Sequence, residues 1–316
     1  MSNSKEKKRF GATMLLWLAK GVAALPHWVQ FGVIGNFIYF VMRYLLRYRR
    51  ELIVRQIAGS FPEKSREEVL AIANDYYHTL AESIICTLSL SASDEKQRME
   101  ALQIDVPEEI RQLVEGKHFV LFSSHHNMWE YAQFTSLYFN KHHLLCAYHP
   151  LSSPAFEEFY YRLRSELSSN VSLAPSNRFL HNFIKHSKTG IDGRQVELGI
   201  IADQNAPPRS EDNHWFDFLH RPTLFFEGGE YLAKKFHIPA VYLSMSRVSA
   251  GKYRGEIKLV YDGVEQVENH EITERYVRLL EQDIHREPSR WMWSHRRWKY
   301  YPDPVTGEAI YCRKGL

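Results

Sequence analysis

The chain places a histidine five positions before a glutamate, His125 and Glu130 in Phe119-Val-Leu-Phe-Ser-Ser-His-His-Asn-Met-Trp-Glu130, and this pair is suited to activating a hydroxyl. A neutral imidazole takes the proton of an alcohol. A carboxylate beside it fixes the tautomer and stabilises the imidazolium that forms. Within one helix, residues five apart sit about 140° around the axis and do not face each other. The pairing therefore requires a turn: a strand ending near Ser123, a bend through His125 and His126, and a helix starting after Asn127 that returns Glu130 beneath His125. The same spacing fits a capping box, with Asn127 as N-cap and Glu130 at N3.

Three further segments carry candidate site residues. Ile200-Ile-Ala-Asp203-Gln204-Asn-Ala-Pro-Pro reads as a strand ending in an acid, then a loop stiffened by two prolines and placed to cover a substrate. Asp203 is equally suited to satisfying local backbone amides in a turn. In Phe216-Asp-Phe-Leu-His-Arg221-Pro-Thr223, Arg221 suits a phosphate or carboxylate. Thr223 suits the cap of a helix carrying Tyr231, Leu232 and Ala233. Arg290-Trp-Met-Trp-Ser-His295-Arg296-Arg297-Trp298-Lys299 mixes tryptophan with arginine. That mixture fits a membrane interface, a phosphate-rich ligand, or an ion-pair network over a core edge.

The elements that must position these residues are legible from periodicity. From Lys117 the pattern runs apolar strand, helix, apolar strand at Leu144 to Tyr148, helix from Pro154 to Leu167, strand near Glu197 to Ala202, and another at Ala240 to Met245. Alternating strands and helices predict an α/β fold with a mainly parallel or mixed sheet flanked by helices. His125, His149 and Asp203 fall just after expected strands, at the carboxyl ends where sites of such sheets collect. Upstream, Ser65 and Glu68 form a capping box opening a helix that runs to about Ile85. A basic helix spans Arg47 to Ile57, and Ala92 to Val106 is polar and loop-like, with a short strand around Leu102 to Ile104.

At 316 residues, 44% hydrophobic and 24% charged, the chain can bury a large core. Net charge is only +3, but Lys5, Lys7, Lys8 and Arg9 precede an apolar stretch, and Arg43, Arg47, Arg49 and Arg50 follow it. Such flanks suit anionic headgroups. No zinc spacing, recognition helix or aromatic RNA-binding motif accompanies these charges, which argues against nucleic acid. The expected organisation is a membrane anchor over residues 1–47 and a catalytic domain over 48–316. The anchor is either one transmembrane helix or a hairpin lying in the interface, with Trp17, Trp28 and Phe37 at the lipid boundary. Cys86, Cys146 and Cys312 are odd in number and scattered, which predicts reduced thiols and a cytoplasmic catalytic domain.

Taken in order, these segments resemble the lysophospholipid acyltransferase superfamily, and more closely the bacterial late acyltransferases of lipid A biosynthesis. The matching features are the basic helix with Gly-Ser-Phe-Pro-Glu near Phe61, His125-x4-Glu130, Ala-Asp203-Gln204 followed by Phe-Leu-His-Arg-Pro-Thr223, and Trp293-Ser-His-Arg-Arg-Trp-Lys299. The resemblance implies a glycerol-3-phosphate acyltransferase-like fold at the cytoplasmic face of the inner membrane. It implies transfer of an acyl chain from a thioester of acyl carrier protein or coenzyme A to a hydroxyl of a membrane lipid, with no metal, no cofactor and no covalent enzyme intermediate. Residue by residue, His125 would be the general base, Glu130 its orienting partner, and Asp203 an activity-linked aspartate that positions the loop or acceptor. Gln204, Arg221 and Thr223 would contact substrate. Where relatives read Tyr-Arg-Pro after the second strand, this chain reads Tyr148-His149-Pro150. A permanently charged phosphate clamp has become titratable, and Arg162 or Arg164 on the next helix would supply the missing charge. The acceptor is then a lipid A precursor or, alternatively, a lyso-aminolipid, lysophospholipid or glycolipid. A lipid-binding protein without turnover and a thioesterase are the readings from other classes.

Overall fold

The computed structural model describes residues 2–165, 168–208 and 213–312, with side chains from residue 11 onward. Helix α1 (Ser2–Ala23) ends ahead of Pro26. A helical run over Trp28–Leu45 follows, with π-helical turns on either side of α2 (Asn36–Phe40). Arg47 and Arg49 take left-handed φ values of 46° and 49°, and α3 (Arg50–Ser60) leaves at 92° to the run before it. Among the described residues no single helix is long and apolar enough to cross a membrane. The run Trp28–Leu45 and α3 meet that requirement only together, as a bent pair. The single-span alternative is thereby corrected, because Pro26 breaks the apolar stretch after α1 and the two left-handed arginines turn the chain before α3. These pieces also rest on the rest of the molecule. Helix α1 packs on α4 (Arg66–Leu90) and on α8 (Pro154–Ser165), with Ala12 and Ala19 fully buried.

Helix α4 opens as expected: Glu68 N–H donates to Ser65 Oγ (3.3 Å) and Ser65 N–H to Glu68 Oε2 (2.8 Å). A second capping box, Asp94 with Gln97, starts α5 (Glu95–Ala101) inside the stretch expected to be loop. Then come β1 (Leu102–Asp105), α6 (Glu108–Val114), β2 (Phe119–Ser123), α7 (Thr135–Tyr138), β3 (His142–Tyr148) and α8. The last position expected for α8, Leu167, lies outside the described residues. The chain continues through β4 (Val171–Pro175), α9 (Phe179–His186), β5 (Gln195–Ile201), the hairpin β6 (Phe216–Phe218) and β7 (Arg221–Thr223), and α10 (Gly228–Phe236). It closes with β8 (Ala240–Ser249), β9 (Lys252–Tyr261), α11 (Glu271–Arg286) and the hairpin β10 (Tyr300–Pro302) and β11 (Ala309–Tyr311).

Seven strands form one mixed sheet in the order β1-β9-β8-β2-β5-β3-β4. Strands β8, β2, β5, β3 and β4 are parallel, and β9 turns back antiparallel to β8 with β1 parallel to it. Both faces of β2 are covered. Val120 and Phe122 enter one apolar core, while Phe119 and Leu121 enter the other. This explains why the strand reads as a continuous apolar run. Gly229, at the start of α10, lies so close to β2 that a Cβ there would sit 2.4 Å from the Phe122 ring. Only glycine lets that helix approach the strand below the site.

Candidate active site

Strands β2 and β5 are direct neighbours, with Ser123 opposite Ile201 at their carboxyl ends. His125 and Asp203 each lie two residues beyond that paired position, so the register brings them together across 78 residues of sequence. Asp203 Oδ1 lies 2.7 Å from His125 Nδ1, and Oδ2 accepts the His125 backbone N–H at 2.9 Å. The indole N–H of Trp291 donates to the same Oδ2 at 2.7 Å. The Asp203 side chain is 1% exposed and that of His125 is 14% exposed, so the carboxylate is sealed and the imidazole reaches the surface. Burial alone would raise the Asp203 pKa, but the charge and hydrogen bonds of His125 and the Trp291 N–H outweigh it and hold the carboxyl below its usual value.

The carboxylate partner of His125 is therefore Asp203 rather than the expected Glu130. Asn127 adopts φ 58° and sends its side-chain amide to Met245 O (2.8 Å) and Glu287 Oε2 (3.1 Å), so it is not a helix cap. A 3-10 turn over Trp129–Phe134 begins beyond it. Its first residue, Trp129, packs its ring 5.4 Å from that of His125. The next, Glu130, points elsewhere, since neighbours in a 3-10 turn project about 120° apart. It takes two hydrogen bonds from Arg164 on α8, Nε to Oε2 at 2.9 Å and Nη2 to Oε1 at 2.6 Å. Burial would lower the Arg164 pKa, but the Glu130 carboxylate more than offsets this and the guanidinium stays charged. Arg164 is thus committed to Glu130, and Arg162 is paired with Glu158 (2.8 Å). His149 lies exposed in the loop after β3.

Gln204 joins the His–Asp pair. Its Nε2 lies 3.0 Å from His125 Nε2 and 3.8 Å from Met292 Sδ. With Nδ1–H directed to Asp203, Nε2 carries the lone pair, and the glutamine amide donates to it. Arg221 and Thr223 are held away from this centre by Trp298. The Arg221 guanidinium stacks on the Trp298 ring (3.5 Å to its centroid) and donates to Gln56 O (2.7 Å) and Ser60 Oγ (2.6 Å) on α3. Burial and nearby Arg55 lower its pKa to about 10. Thr223 Oγ1 accepts the Trp298 N–H at 2.8 Å and lies in β7, so it does not cap α10. Arg221 ties α3 to the hairpin, and the expected cap by Thr223 is replaced by its contact with Trp298.

The C-terminal Trp/Arg segment, which suits a membrane interface, a phosphate-rich ligand or an ion-pair network over a core edge, buries its tryptophans and Arg297 in the core. Trp293, Trp298 and Arg297 are at most 2% exposed. Arg297 donates to Leu224 O (2.6 Å) and sits over the Phe225 ring; burial lowers its pKa to about 10. His295 Nε2 accepts the Asn205 N–H at 3.3 Å. Burial, with Arg297, His125 and Lys299 around it, pushes His295 down to about 4, so it stays neutral beside the pair. Trp291 and His295 lie in a segment singled out from the sequence, but their roles are not legible there because their partners, Asp203 and Asn205, are some 90 residues away. The one available signal was an unusual density of tryptophan.

The mixed α/β sheet thus sets a histidine and a sealed carboxylate on adjoining strand ends. A family model described as bacterial lipid A biosynthesis acyltransferase matches residues 3–300. The chain belongs to that family, and it is an acyltransferase that uses an acyl donor and a lipid acceptor. No curated protein matches it.

Proposed function

We propose that the chain transfers a fatty acyl group from a thioester, carried by acyl carrier protein or coenzyme A, to a hydroxyl of a lipid A precursor, with His125 as general base. The observation that carries this reading is the His125–Asp203 pair, in which the 2.7 Å contact to Nδ1 leaves the lone pair on Nε2, where a proton can be accepted, on a partly exposed imidazole. The acceptor hydroxyl takes the place of the Gln204 amide at Nε2 and gives its proton to the imidazole as its oxygen attacks the thioester carbonyl. The C–O bond forms, the C–S bond breaks, and the imidazolium returns the proton to the departing thiolate. Asp203 orients the ring and stabilises its charged form. Glu130 and Arg164 hold α8 against the turn that carries Trp129, and this keeps the wall beside His125 in place.

Membrane contact through residues 1–47, at the cytoplasmic face of the inner membrane, is part of the same proposal. Trp17 (73% exposed), Trp28 (69%) and Phe37 (65%) leave large apolar surfaces bare on these helices, and Arg43, Arg47, Arg49 and Arg50 follow them. The helices then lie on the bilayer with the body attached, as the interfacial alternative expected. His149 in place of the family's arginine is the observation favouring a different acceptor, a lyso-aminolipid, lysophospholipid or glycolipid.

Mass spectrometry of total lipids from cells lacking the protein, restored with wild type or with His125→Ala, tests both acceptors. The expected result is lipid A one acyl chain short, repaired only by wild type, with His125→Ala at least about 100-fold less active. Unchanged lipid A alongside a missing phospholipid or aminolipid moves the assignment to the second acceptor. Full repair by His125→Ala removes the base mechanism.

A further inference from the structure

Trp291 lies 88 residues from Asp203 in sequence and donates its indole N–H to the carboxylate of the His–Asp pair. Its backbone bridges that of His126, and Asn127 N–H donates to Arg290 O at 2.9 Å, so the segment is strapped to the turn that bears the base. Arg290 is anchored in turn by Glu82 of α4 at 3.1 Å. The indole, 2% exposed, is walled by Trp293, Phe218 and Trp298 with ring centroids 4.8, 5.7 and 6.0 Å away. The one polar atom of that side chain points at Asp203 Oδ2.

A carboxylate whose two oxygens are equivalent turns about its last side-chain bond unless both are held. Here Oδ2 receives two donors, the Trp291 indole and the His125 backbone, and Oδ1 is left to face Nδ1. The neighbouring contacts act in the same sense. Met292 meets Gln204 and His295 meets Asn205, so three successive residues of the 203–205 loop are held by residues 291–295. We infer that Trp291 is a positioning residue for acyl transfer, its indole N–H fixing the Asp203 carboxylate in the orientation that directs His125. The inference rests on the reading of His125 and Asp203 as the base and its orienter.

The test removes the N–H and keeps the shape. In the full chain, Trp291 is replaced by 3-benzothienylalanine, which carries sulfur where indole has N–H, and in parallel by phenylalanine. Acylation is followed with membranes from the deletion strain as acceptor and acyl-acyl carrier protein as donor, over a range of pH. The expected result for the benzothienyl protein is a kcat lower by about tenfold with KM unchanged. The acid limb of its pH profile should move up by about one unit, because a carboxylate stripped of one donor favours the charged imidazole more. The titratable and charged groups facing Asp203 are His125 at the end of β2, His295 and Arg297 on the C-terminal segment, and Tyr276 on α11. None of these is altered, and a purely structural loss would leave the limb where it is. Wild-type kcat and an unmoved limb in the benzothienyl protein, with His125→Ala and Asp203→Asn inactive, overturn the inference. Activity retained in His125→Ala and Asp203→Asn instead removes the base reading on which it stands.

Discussion

Replacing Asp203 by asparagine changes no shape and removes one acceptor. The carboxylate receives three donors: two converge on Oδ2, from the His125 backbone (2.9 Å) and Trp291 (2.7 Å), and one approaches Oδ1, from His125 Nδ1 (2.7 Å). Asparagine offers one oxygen. Facing it toward the two converging donors keeps two of the three bonds and turns the NH2 group to Nδ1. Nδ1 must then accept, and the ring proton moves to Nε2, the nitrogen that meets Gln204 and, in the proposed reaction, the acceptor hydroxyl. A base without a lone pair at Nε2 is idle. The wrong tautomer alone is worth about 10³- to 10⁴-fold in kcat, with KM nearly unchanged because the residue is sealed from substrate. Kinetics over about pH 5 to 9 with a thermal melt as fold control would measure this. The native carboxyl titrates below its ordinary value, so its contribution to stability is present above the unfolded pKa and is lost as pH falls through the folded one. The variant should lack that part of the acid unfolding. Activity within about tenfold of wild type in Asp203→Asn, with Glu130→Gln inactive, would refute the reasoning and return the orienting role to Glu130.

Glu130→Gln itself should retain activity within about tenfold and lower stability by about 2 kcal/mol, since it leaves the Arg164 guanidinium with a neutral partner; a loss of kcat comparable to Asp203→Asn at unchanged melting temperature contradicts this. Glu197 is fully buried on β5, accepts a bond from Thr135 at 2.5 Å and, among the described residues, has no partner for Oε2. Burial pushes its pKa up to about 8. Its folded value is raised, so the protein is most stable below the unfolded value and loses stability as pH climbs toward 8, by on the order of 3 kcal/mol at pH 7. Glu197→Gln should flatten the melting temperature between about pH 5 and 8. An unchanged slope there locates the pH dependence elsewhere.

Strand and helix positions were legible wherever the signal is local. The apolar run at Phe119–Ser123, the strands beginning near Leu144, Glu197 and Ala240, the Ser65 capping box and the helix after Gly228 all appear where expected. Helix α5 was missed although its Asp94/Gln97 capping box is of the same kind, because the surrounding residues are polar and show no apolar stripe. The hairpin of β6 and β7 was missed because its turn uses Leu219 and His220 at φ 49° and 62°, not the Asn-Gly type of pair that announces such a turn. The Trp/Arg tail is ambiguous by composition. The mixture suits an interface, a phosphate-rich ligand or the edge of the core, and does not reveal that Arg297 is buried against Phe225 and Leu224 O.

The sequence by itself determined the family, the two strand ends that bear the site, and the residue types available there, because each depends on neighbours within a few positions of chain. It placed His125 and Asp203 at the strand ends where one site collects, but it paired His125 with Glu130. Tertiary structure decided the pairing. The register of β2 against β5 set Asp203 beside His125, the left-handed Asn127 and the 3-10 turn carried Glu130 off to Arg164, and the packing of the C-terminal tail brought Trp291 onto the carboxylate. Each of these depends on contacts between segments 34 to 88 residues apart, and no local periodicity encodes which distant strand or loop will be the neighbour.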